Sequence, residues 1–263
     1  DTAFDSVKTA VAKIAALEPS FVSVTYGAGG GTSQYTLDIA KSIQQLHNVP
    51  TLAHLTCVSS TKETVHERIE AMRAAGIENV MALRGDLTPE LEQSDRSQWA
   101  YRYAVEYQDD FCIGGACYPE IHPESQNQKE DIQHLKEKVD AGCEFLTTQM
   151  FFDNNLLYNF LYKIREAGIT VPVIPGIMPI TNAKQLERAL KLSGSFIPQR
   201  FKALVDTFGY HTQAMTQAGI AYATDQIIDL YANGIKNVHV YSMNKPEVAQ
   251  KIKENISHIL GVK

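Results

Sequence analysis

The sequence has few of the features that mark a nucleic-acid-binding or membrane-bound protein. It contains no long basic run, and its 24 lysines and arginines against 30 aspartates and glutamates give a net charge of −6. No stretch approaches the roughly 18 uninterrupted apolar residues of a membrane span, and the N-terminus shows no secretory pattern. We therefore expect a cytoplasmic protein that binds small molecules, with neither nucleic acid nor membrane as a partner.

Cysteine is also scarce, and its four positions form no C-x-x-C pair. Cys57, Cys112, Cys117 and Cys143 lie inside apolar segments, a spacing that favours reduced core residues over a disulfide or zinc framework. No strand-like segment offers the H-x-H or H-x-x-E-H spacing that brings ligands together on one metal, so no metal is expected. The sequence also has no G-x-S-x-G elbow, which disfavours a Ser-His-Asp triad. The remaining interpretation is a site in which an organic cofactor performs the chemistry.

What the chain does contain is a series of short apolar, β-branched segments, each predicted to be a buried strand. Helical patterns lie between them, and the clearest has a capping box of Ser60 and Glu63 and a glycine stop at Gly76. This alternation, at intervals of about thirty residues, specifies parallel strands joined by crossover helices. The predicted strands are residues 21–27, 51–58, 79–86, 111–119, 145–151, 171–179 and 237–243.

The ends of these segments favour one α/β architecture over another. Nearly all end in a polar residue or a glycine-proline signature, which favours a TIM (β/α)8 barrel over an open doubly wound sheet, because a barrel builds its site from every strand end. The chain opens on a helical stripe that includes Val7, Val11 and Ile14, so we expect the first barrel strand to precede residue 1. Residues 181–236 are expected to form two or three helices, and residues 1–263 a single domain.

Polar residues at the predicted strand ends are the candidates for function, since that face of a barrel holds its sites. In A-L-R-G-D, Gly85 permits a sharp turn while Arg84 and Asp86 can point into the mouth; the alternative is a structural Arg–Asp pair that seals the rim. The strand-end set is Thr25, His54, Arg84, Asp86, Tyr118, His122 and Gln149.

Three further motifs each allow a functional and a structural interpretation. G-A-G-G-G-T (27–32) could cradle a phosphate at a helix N-terminus or simply form a flexible turn. In Y-P-E-I-H-P-E (118–124), the prolines restrain the backbone so that the tyrosine and histidine could contact a planar ligand, or the histidine is an ordinary loop residue. Asp131, His134 and Lys138 form a polar stripe that is either a solvated face or, at the lysine, a phosphate contact.

Eight motifs occur in order over essentially the whole chain: V-T-Y-G, H-L-T-C, A-L-R-G-D, A-C-Y-P-E-I-H-P-E, K-V-D-A-G, T-Q-M-F-F-D, P-G-I-M-P-I and H-V-Y-S-M-N-K. Together they resemble the methylenetetrahydrofolate reductase family. The resemblance implies a flavoprotein of one-carbon metabolism and methionine biosynthesis, with FAD in preference to FMN. It also implies reduction of 5,10-methylenetetrahydrofolate to 5-methyltetrahydrofolate by hydride transfer from the reduced flavin.

The resemblance also implies roles for individual residues. Asp86 is the implied catalytic residue, near the flavin pyrimidine edge and the pterin, where a carboxylate disfavours anionic reduced flavin and makes it a better hydride donor. Gln149 is implied to hydrogen-bond the pterin, and Asp86, Gln185 and Lys245 to help bind the substrate. The implied flavin contacts are Thr25, His54, Arg84, Gly85, Asp86, Ala116, Tyr118, His122, Asp131, His134 and Lys138.

The chain departs from the family pattern at three places. The general-acid glutamate of the family belongs to the strand expected before residue 1. The family has an aromatic residue that stacks on nicotinamide and folate, and its position falls near Ala189 in this chain. The family also has an arginine near the folate tail, and Lys245 takes its place here. The loss of the aromatic ring leaves the electron donor open between NAD(P)H, commonly NADH, and a redox partner protein.

Two other functions stay open beside the reductase: a catalytically silent flavin- or folate-binding subunit of a larger complex, and another flavin barrel oxidoreductase. A homo-oligomer or a complex with a partner subunit is expected.

Overall fold

The computed structural model describes residues 2–25, 33–57, 60–85 and 109–261. Helices and strands alternate along most of this length, as the apolar segments predict. The helices are α1 Thr2–Ala15, α2 Ser33–His47, α3 Lys62–Ala74, α4 Gln128–Asp140, α5 Asn154–Glu166, α6 Ala183–Ser193, α7 Gln199–Phe208, α8 Thr212–Ala232 and α9 Pro246–Asn255. The strands are β1 Val22–Val24, β2 Thr51–Thr56, β3 Asn79–Leu83, β4 Cys112–Cys117, β5 Phe145–Thr148, β6 Val173–Ile174, β7 Gly176–Ile177 and β8 His239–Val240.

The strands pair in the order in which they occur in the chain. Strands β1 to β6 form one sheet in that order, and β7 pairs with β8 in a second. The β1–β2, β2–β3, β3–β4 and β7–β8 pairs are parallel. Sequential parallel strands with intervening helices are the arrangement of a (β/α)8 barrel, so the predicted fold class is confirmed. A further strand before residue 1 stays a prediction.

Two local predictions were wrong in detail. The predicted strand 171–179 is split into β6 and β7, which belong to different sheets. The split falls at Pro175, which has no N–H to donate; its carbonyl accepts from His239 N at 2.8 Å, beside the β7–β8 pair. The three helices α6, α7 and α8 occupy residues 181–236, as expected.

The N-terminus of α3 is the second difference. Its N-cap is Thr61, whose hydroxyl accepts from Thr64 N at 3.2 Å, and not Ser60 as the capping-box pattern predicts. Ser60 instead accepts a hydrogen bond from Arg68 Nη1 at 2.8 Å. Two adjacent hydroxyl residues could each have capped this helix, and the tertiary contact decides between them. The stop at Gly76 is confirmed, because α3 ends at Ala74.

The chain divides into two compact units, each with its own core. The first comprises Asp1–Ala116 and Glu137–Leu146, and the second Cys117–Lys136 and Thr147–Lys263. In the first unit, alternate strand residues such as Ala53, Leu55, Val80 and Ala82 belong to one buried cluster with residues of the surrounding helices. In the second, Phe201 is central, stacked on Phe152 at 4.9 Å between ring centroids and packed against Tyr222 at 4.4 Å.

Across the four described ranges, the structure has no helix that is both long enough and apolar enough to cross a membrane.

The four cysteines are reduced thiols within this framework. Cys57, Cys117 and Cys143 are buried, as predicted for core residues, while Cys112 is half-buried. Burial raises the pKa of the Cys57 thiol from 9.0 to about 11, although the nearby Arg68 acts in the opposite direction. Burial, and after it the Glu144 carboxylate, raises the pKa of Cys112 to about 11.

We expect Cys57 and Cys112 to react slowly with Ellman's reagent in the native protein. At about pH 8, a thiol with such a pKa is only about one part in a thousand thiolate, the reactive form. The same raised pKa values make folding stability fall as pH rises from about 9 through about 11, because the unfolded chain then binds fewer protons than the native one. Rapid native labelling of Cys57 or Cys112, located by mass spectrometry, would contradict this; concentrated guanidinium chloride should expose all four thiols.

Candidate functional site

Several predicted site residues in the first unit directly follow strands. Thr25 comes immediately after β1 and is exposed, and its carbonyl accepts from the buried Thr36 hydroxyl at 3.3 Å. Arg84 and Gly85 follow β3, and both are half-buried. The backbone N–H of Cys57, at the end of β2, donates to the Arg84 carbonyl at 3.1 Å. The ends of β2 and β3 are therefore held side by side where the sequence predicts the site.

Gly85 has a backbone conformation that favours glycine. Its φ is +93°, in the range that a residue with a Cβ rarely adopts, so the chain turns sharply directly after Arg84. The Arg84 Nε group donates to the Gly85 carbonyl at 3.4 Å. Asp86 and residues 27–32 lie outside the described residues, so the role of Asp86 and the phosphate-cradle interpretation remain predictions.

His54 lies within β2, and not at its end as the sequence suggests. It precedes the last strand residue, Thr56, by two positions and pairs in register with Met81 of β3. Side chains alternate across a strand, so His54 faces away from the side that Ala53 and Leu55 present to the helix-packed core. Its imidazole is half-buried on that opposite face.

Tyr118 and His122 lie together after β4. Their rings meet edge to face, with centroids 4.6 Å apart and an interplanar angle of 78°. His122 Nδ1 accepts from the backbone N–H of Glu124 at 3.1 Å. Because a backbone N–H can only donate, the proton of a neutral His122 ring is on Nε2, which makes that nitrogen the hydrogen-bond donor.

The predicted polar stripe on α4 divides into residues with different contacts. Asp131 accepts from His122 N at 3.2 Å and from the Ser125 hydroxyl at 3.2 Å, so its carboxylate holds the loop that contains His122. His134 is exposed. Lys138 Nζ donates to the Ala116 carbonyl at 2.7 Å, which brings two predicted cofactor contacts together.

Gln149 follows β5 directly, beside the end of β4. Its backbone N–H donates to the Cys117 carbonyl at 2.7 Å, and its side-chain oxygen accepts from Met150 N at 2.9 Å. Thr147 is two residues earlier and therefore on the same face of the strand. Its buried hydroxyl has no hydrogen-bond partner among the described residues, an arrangement that costs about 1–3 kcal/mol unless a ligand or water satisfies it.

The structure brings Gln185 and Lys245 together through a residue that the sequence analysis missed. Thr181 is buried, and its hydroxyl donates to Gln185 Oε1 at 3.1 Å while its backbone N–H donates to the same oxygen at 3.0 Å. Lys245 Nζ donates to the Thr181 hydroxyl oxygen at 2.7 Å. The sequence did contain a signal for it. Thr181 directly follows P-G-I-M-P-I, and the other candidate residues are likewise polar residues at the ends of predicted strands.

Helix α8 packs directly on the segment that contains Thr181. A Cβ on Gly219 would lie 1.7 Å from the Ile180 carbonyl oxygen, so only glycine permits this approach. One turn earlier, the Thr216 hydroxyl donates to the Thr181 carbonyl at 3.3 Å. The position of Thr181 is thus set by backbone contacts that no local sequence pattern reveals.

Glu120 is a second residue that the sequence analysis did not single out. One carboxylate oxygen accepts from Phe196 N at 2.8 Å, and the other is buried without a hydrogen-bond partner in the described part of the chain. Burial raises the pKa of the Glu120 carboxyl, against the opposing effect of the Phe196 N–H. Glu120 therefore ties the Y-P-E-I-H-P-E segment to the residues after α6.

Ala189, where the family pattern has an aromatic residue, is buried on α6. Its carbonyl accepts from the Ser193 hydroxyl at 2.9 Å, and it belongs to a cluster with Leu186 and Met215. Position 189 is therefore part of the hydrophobic core of the second unit.

This fold and these strand-end residues define a (β/α)8-barrel protein with its candidate ligand-binding groups at the carboxyl ends of parallel strands. The sequence model of the methylenetetrahydrofolate reductase family matches residues 3–257. The chain therefore belongs to the methylenetetrahydrofolate reductase family.

Individual relatives agree with this membership. The 5,10-methylenetetrahydrofolate reductase of Buchnera aphidicola is 36% identical over 267 residues, which cover 98% of this chain and 87% of the relative. The protein of the same name from Pectobacterium carotovorum is 32% identical over 259 residues, covering 98% and 86%. Methylenetetrahydrofolate reductase (NADH) 1 of Zea mays is 34% identical over 258 residues, covering 92% of this chain and 44% of the relative. The chain thus spans less than half the length of that plant protein.

Solved structures share the fold at low sequence identity. A Clostridium thermocellum protein, described as binding two copies of 5-methyl-5,6,7,8-tetrahydrofolic acid, has a TM-score of 0.60 at 14% identity, with 96% of this chain and 99% of that one covered. Oxaloacetate acetylhydrolase has a TM-score of 0.51 at 16% identity, with 96% and 90% covered. At these identities the likeness concerns the fold alone.

Proposed function

We propose that this protein catalyses the flavin-dependent reduction of 5,10-methylenetetrahydrofolate to 5-methyltetrahydrofolate. The observation that carries the proposal is the alignment with bacterial proteins named for this reaction over nearly the whole of this chain and most of theirs. The eight motifs that resemble the family lie within the matched residues 3–257. Residues 1–263 are proposed to act as one barrel domain.

The described residues fit a flavin. A flavin ring is planar and has both hydrogen-bond donors and acceptors, and it needs polar partners as well as flat contacts. The Tyr118 and His122 rings, which lie together after β4, are proposed to make such contacts. The unsatisfied Thr147 hydroxyl is a polar group that a ligand could complete. Bound reduced flavin would supply the hydride, and FAD is the proposed form.

Residues of this chain would bind and orient that cofactor. The proposed contacts in the first unit include Arg84 and Gly85 at the turn after β3, and Lys138, held at the Ala116 carbonyl. In the second unit, Asp131 acts indirectly, because both of its oxygens hold the loop that contains His122. The remaining proposed contacts, carried over from the family resemblance, are Thr25, His54, Asp86, Tyr118 and His134.

Besides Asp86, three side chains are proposed to bind the folate. Gln149 is proposed to hydrogen-bond the pterin, consistent with its place directly after β5. Gln185 and Lys245 are proposed to bind another part of the substrate together, a proposal supported by their common contact with Thr181. NADH is the proposed electron donor, as in the name of the Zea mays relative, with a redox partner protein as the alternative.

The test is an anaerobic half-reaction. The protein is purified with its native N-terminus, its bound flavin is reduced chemically, and methylenetetrahydrofolate is added while the oxidised-flavin absorbance band is followed. Prompt reoxidation is the expected result. Flavin that stays reduced would support a silent subunit or another flavin oxidoreductase, and a protein that binds no flavin would overturn the assignment.

A further inference from the structure

The hydrogen bonds around Thr181 fix which atoms of Gln185 and Lys245 are left for a ligand. The Thr181 backbone N–H can only donate, so the Gln185 atom that receives it at 3.0 Å must be the amide oxygen. Lys245 can only donate as well, so the Thr181 hydroxyl accepts from Lys245 at 2.7 Å and sends its own proton to the same Gln185 oxygen at 3.1 Å. The order of donors from Lys245 through Thr181 to Gln185 is therefore determined.

This order leaves only donors available on Gln185 and Lys245. The Gln185 oxygen already accepts two hydrogen bonds, which uses both of its lone pairs. Its amide nitrogen donates one hydrogen to the Pro179 carbonyl at 3.3 Å, and within the described part of the chain the second hydrogen has no acceptor. Lys245 has three ammonium hydrogens, of which one is given to Thr181. A ligand group that meets both side chains must be an acceptor, such as a carboxylate or a carbonyl oxygen.

A helix cap explains only part of this arrangement. Asn182 is the N-cap of α6, and Gln185 N donates to its side-chain oxygen at 2.8 Å. A glutamine side chain in the first turn that accepts from a backbone N–H before the helix is a common capping device, and here the Thr181 N–H donates to Gln185 Oε1. Capping requires neither the Thr181 hydroxyl nor Lys245, which is 64 residues further along the chain. The hydroxyl is the only part of Thr181 that links the two proposed substrate-binding side chains.

We propose that Thr181 is a positioning residue, whose hydroxyl holds Gln185 and Lys245 as paired donors for one acceptor group of the folate substrate. This rests on the proposed function, since it takes the folate as the ligand. A lysine that is already held at one contact loses less side-chain freedom on binding a ligand than a free lysine does. The contact with Thr181 therefore preorganises Lys245 and favours binding.

Removing the hydroxyl tests the proposal while keeping the cap. Thr181→Val has nearly the same shape and retains the backbone N–H, and Thr181→Ser restores a hydroxyl. Thr224→Val is the matched control, because Thr224 is a buried threonine of the same unit whose hydroxyl accepts from Asn255 at 3.3 Å, away from Gln185 and Lys245. Calorimetric titration with 5-methyltetrahydrofolate measures binding without turnover.

We expect Thr181→Val to weaken 5-methyltetrahydrofolate binding by about ten-fold or more, as for one lost hydrogen bond to a charged group. The KM for methylenetetrahydrofolate should rise more than kcat falls, and the absorbance spectrum of the bound flavin should not change. Thr181→Ser should recover most of the affinity, and Thr224→Val should bind as the parent does. Equal binding by Thr181→Val and the parent would overturn the proposal, as would an equal loss in Thr224→Val.

A second variant tests the polarity of the pair. In Gln185→Glu the carboxylate can still accept both hydrogen bonds from Thr181 but can no longer donate to a ligand. We expect it to bind 5-methyltetrahydrofolate as weakly as Gln185→Ala, and tight binding by Gln185→Glu would overturn the acceptor assignment. A parent protein that binds no folate would reject the proposed function together with this inference, whereas a parent that binds and a Thr181→Val variant that binds equally would reject the inference alone.

Discussion

Gly219→Ala is expected to destabilise the protein and to disturb the proposed substrate-binding pair, although alanine is the better helix former. The added Cβ would lie 1.7 Å from the Ile180 carbonyl oxygen and 2.7 Å from its carbon, far inside van der Waals contact. The obstructing atoms belong to the backbone and cannot rotate away as the end of a side chain could. Either α8 or the Ile180–Thr181 segment must move.

The balance of two opposing effects sets the size of the change. Replacing glycine by alanine in a helix interior contributes about 1 kcal/mol in favour of folding. Overpacking a well-filled site costs about 1–3 kcal/mol and sometimes more, and here the clash is with rigid backbone at both sides. We expect the free energy of unfolding to fall by about 2 kcal/mol in net. Movement of Thr181 should also weaken 5-methyltetrahydrofolate binding through Gln185 and Lys245.

Guanidinium denaturation and folate titration check the two parts of this prediction. Ala221→Val is the control, because it adds bulk at an exposed position of the same helix and should change stability by less than about 1 kcal/mol. A Gly219→Ala protein as stable as the parent would show that the close approach of α8 to Ile180 does not exist in solution.

The fold was largely predictable because its signals are local. Parallel strands that are buried on both faces appear as continuous apolar runs, and the helices between them have clear stripes and stops such as Gly76. The split of the predicted strand at Pro175 depends on which neighbour each half pairs with, and β6 and β7 pair in different sheets. Likewise, Thr61 caps α3 because Ser60 bonds to Arg68 instead, a contact between residues eight apart.

The candidate site shows the same division between local and distant information. Thr25, Arg84, Gly85 and Gln149 lie within two residues of a strand end, and a strand end is visible in the sequence. Thr181 was missed because its importance comes from Lys245, which is 64 residues away in the chain. Contacts of this kind are made by tertiary packing, so the pattern of a single segment does not contain them.

The largest effect on chemistry is expected from Asp86→Asn. The resemblance places this carboxylate near the flavin pyrimidine edge and the pterin, and the sequence places it directly after Gly85, whose φ of +93° turns the chain at the end of β3. Aspartate and asparagine have nearly the same shape, so the change removes a negative charge and little else. We expect flavin to remain bound while the folate half-reaction slows by about a hundred-fold, the scale of losing one preorganised electrostatic contact.

Two measurements separate this role from simple cofactor binding. Anaerobic stopped-flow mixing of the reduced protein with methylenetetrahydrofolate gives the rate. The flavin midpoint potential should rise by about 20–40 mV, because a nearby carboxylate opposes the negative charge of reduced flavin by about 1–2 kcal/mol. Asp225→Asn is the matched control, since Asp225 forms an exposed ion pair with Arg200 at 2.8 Å and such pairs contribute little.

The outcomes lead to different assignments of the carboxylate. A slower half-reaction with a raised potential would mean that the charge of Asp86 makes the reduced flavin a better hydride donor. A slower reaction at an unchanged potential would mean that the carboxylate acts on the folate instead, since only the substrate would then sense the lost charge. An unchanged rate would refute a catalytic role for Asp86, and loss of flavin from the protein would make it a residue of cofactor binding.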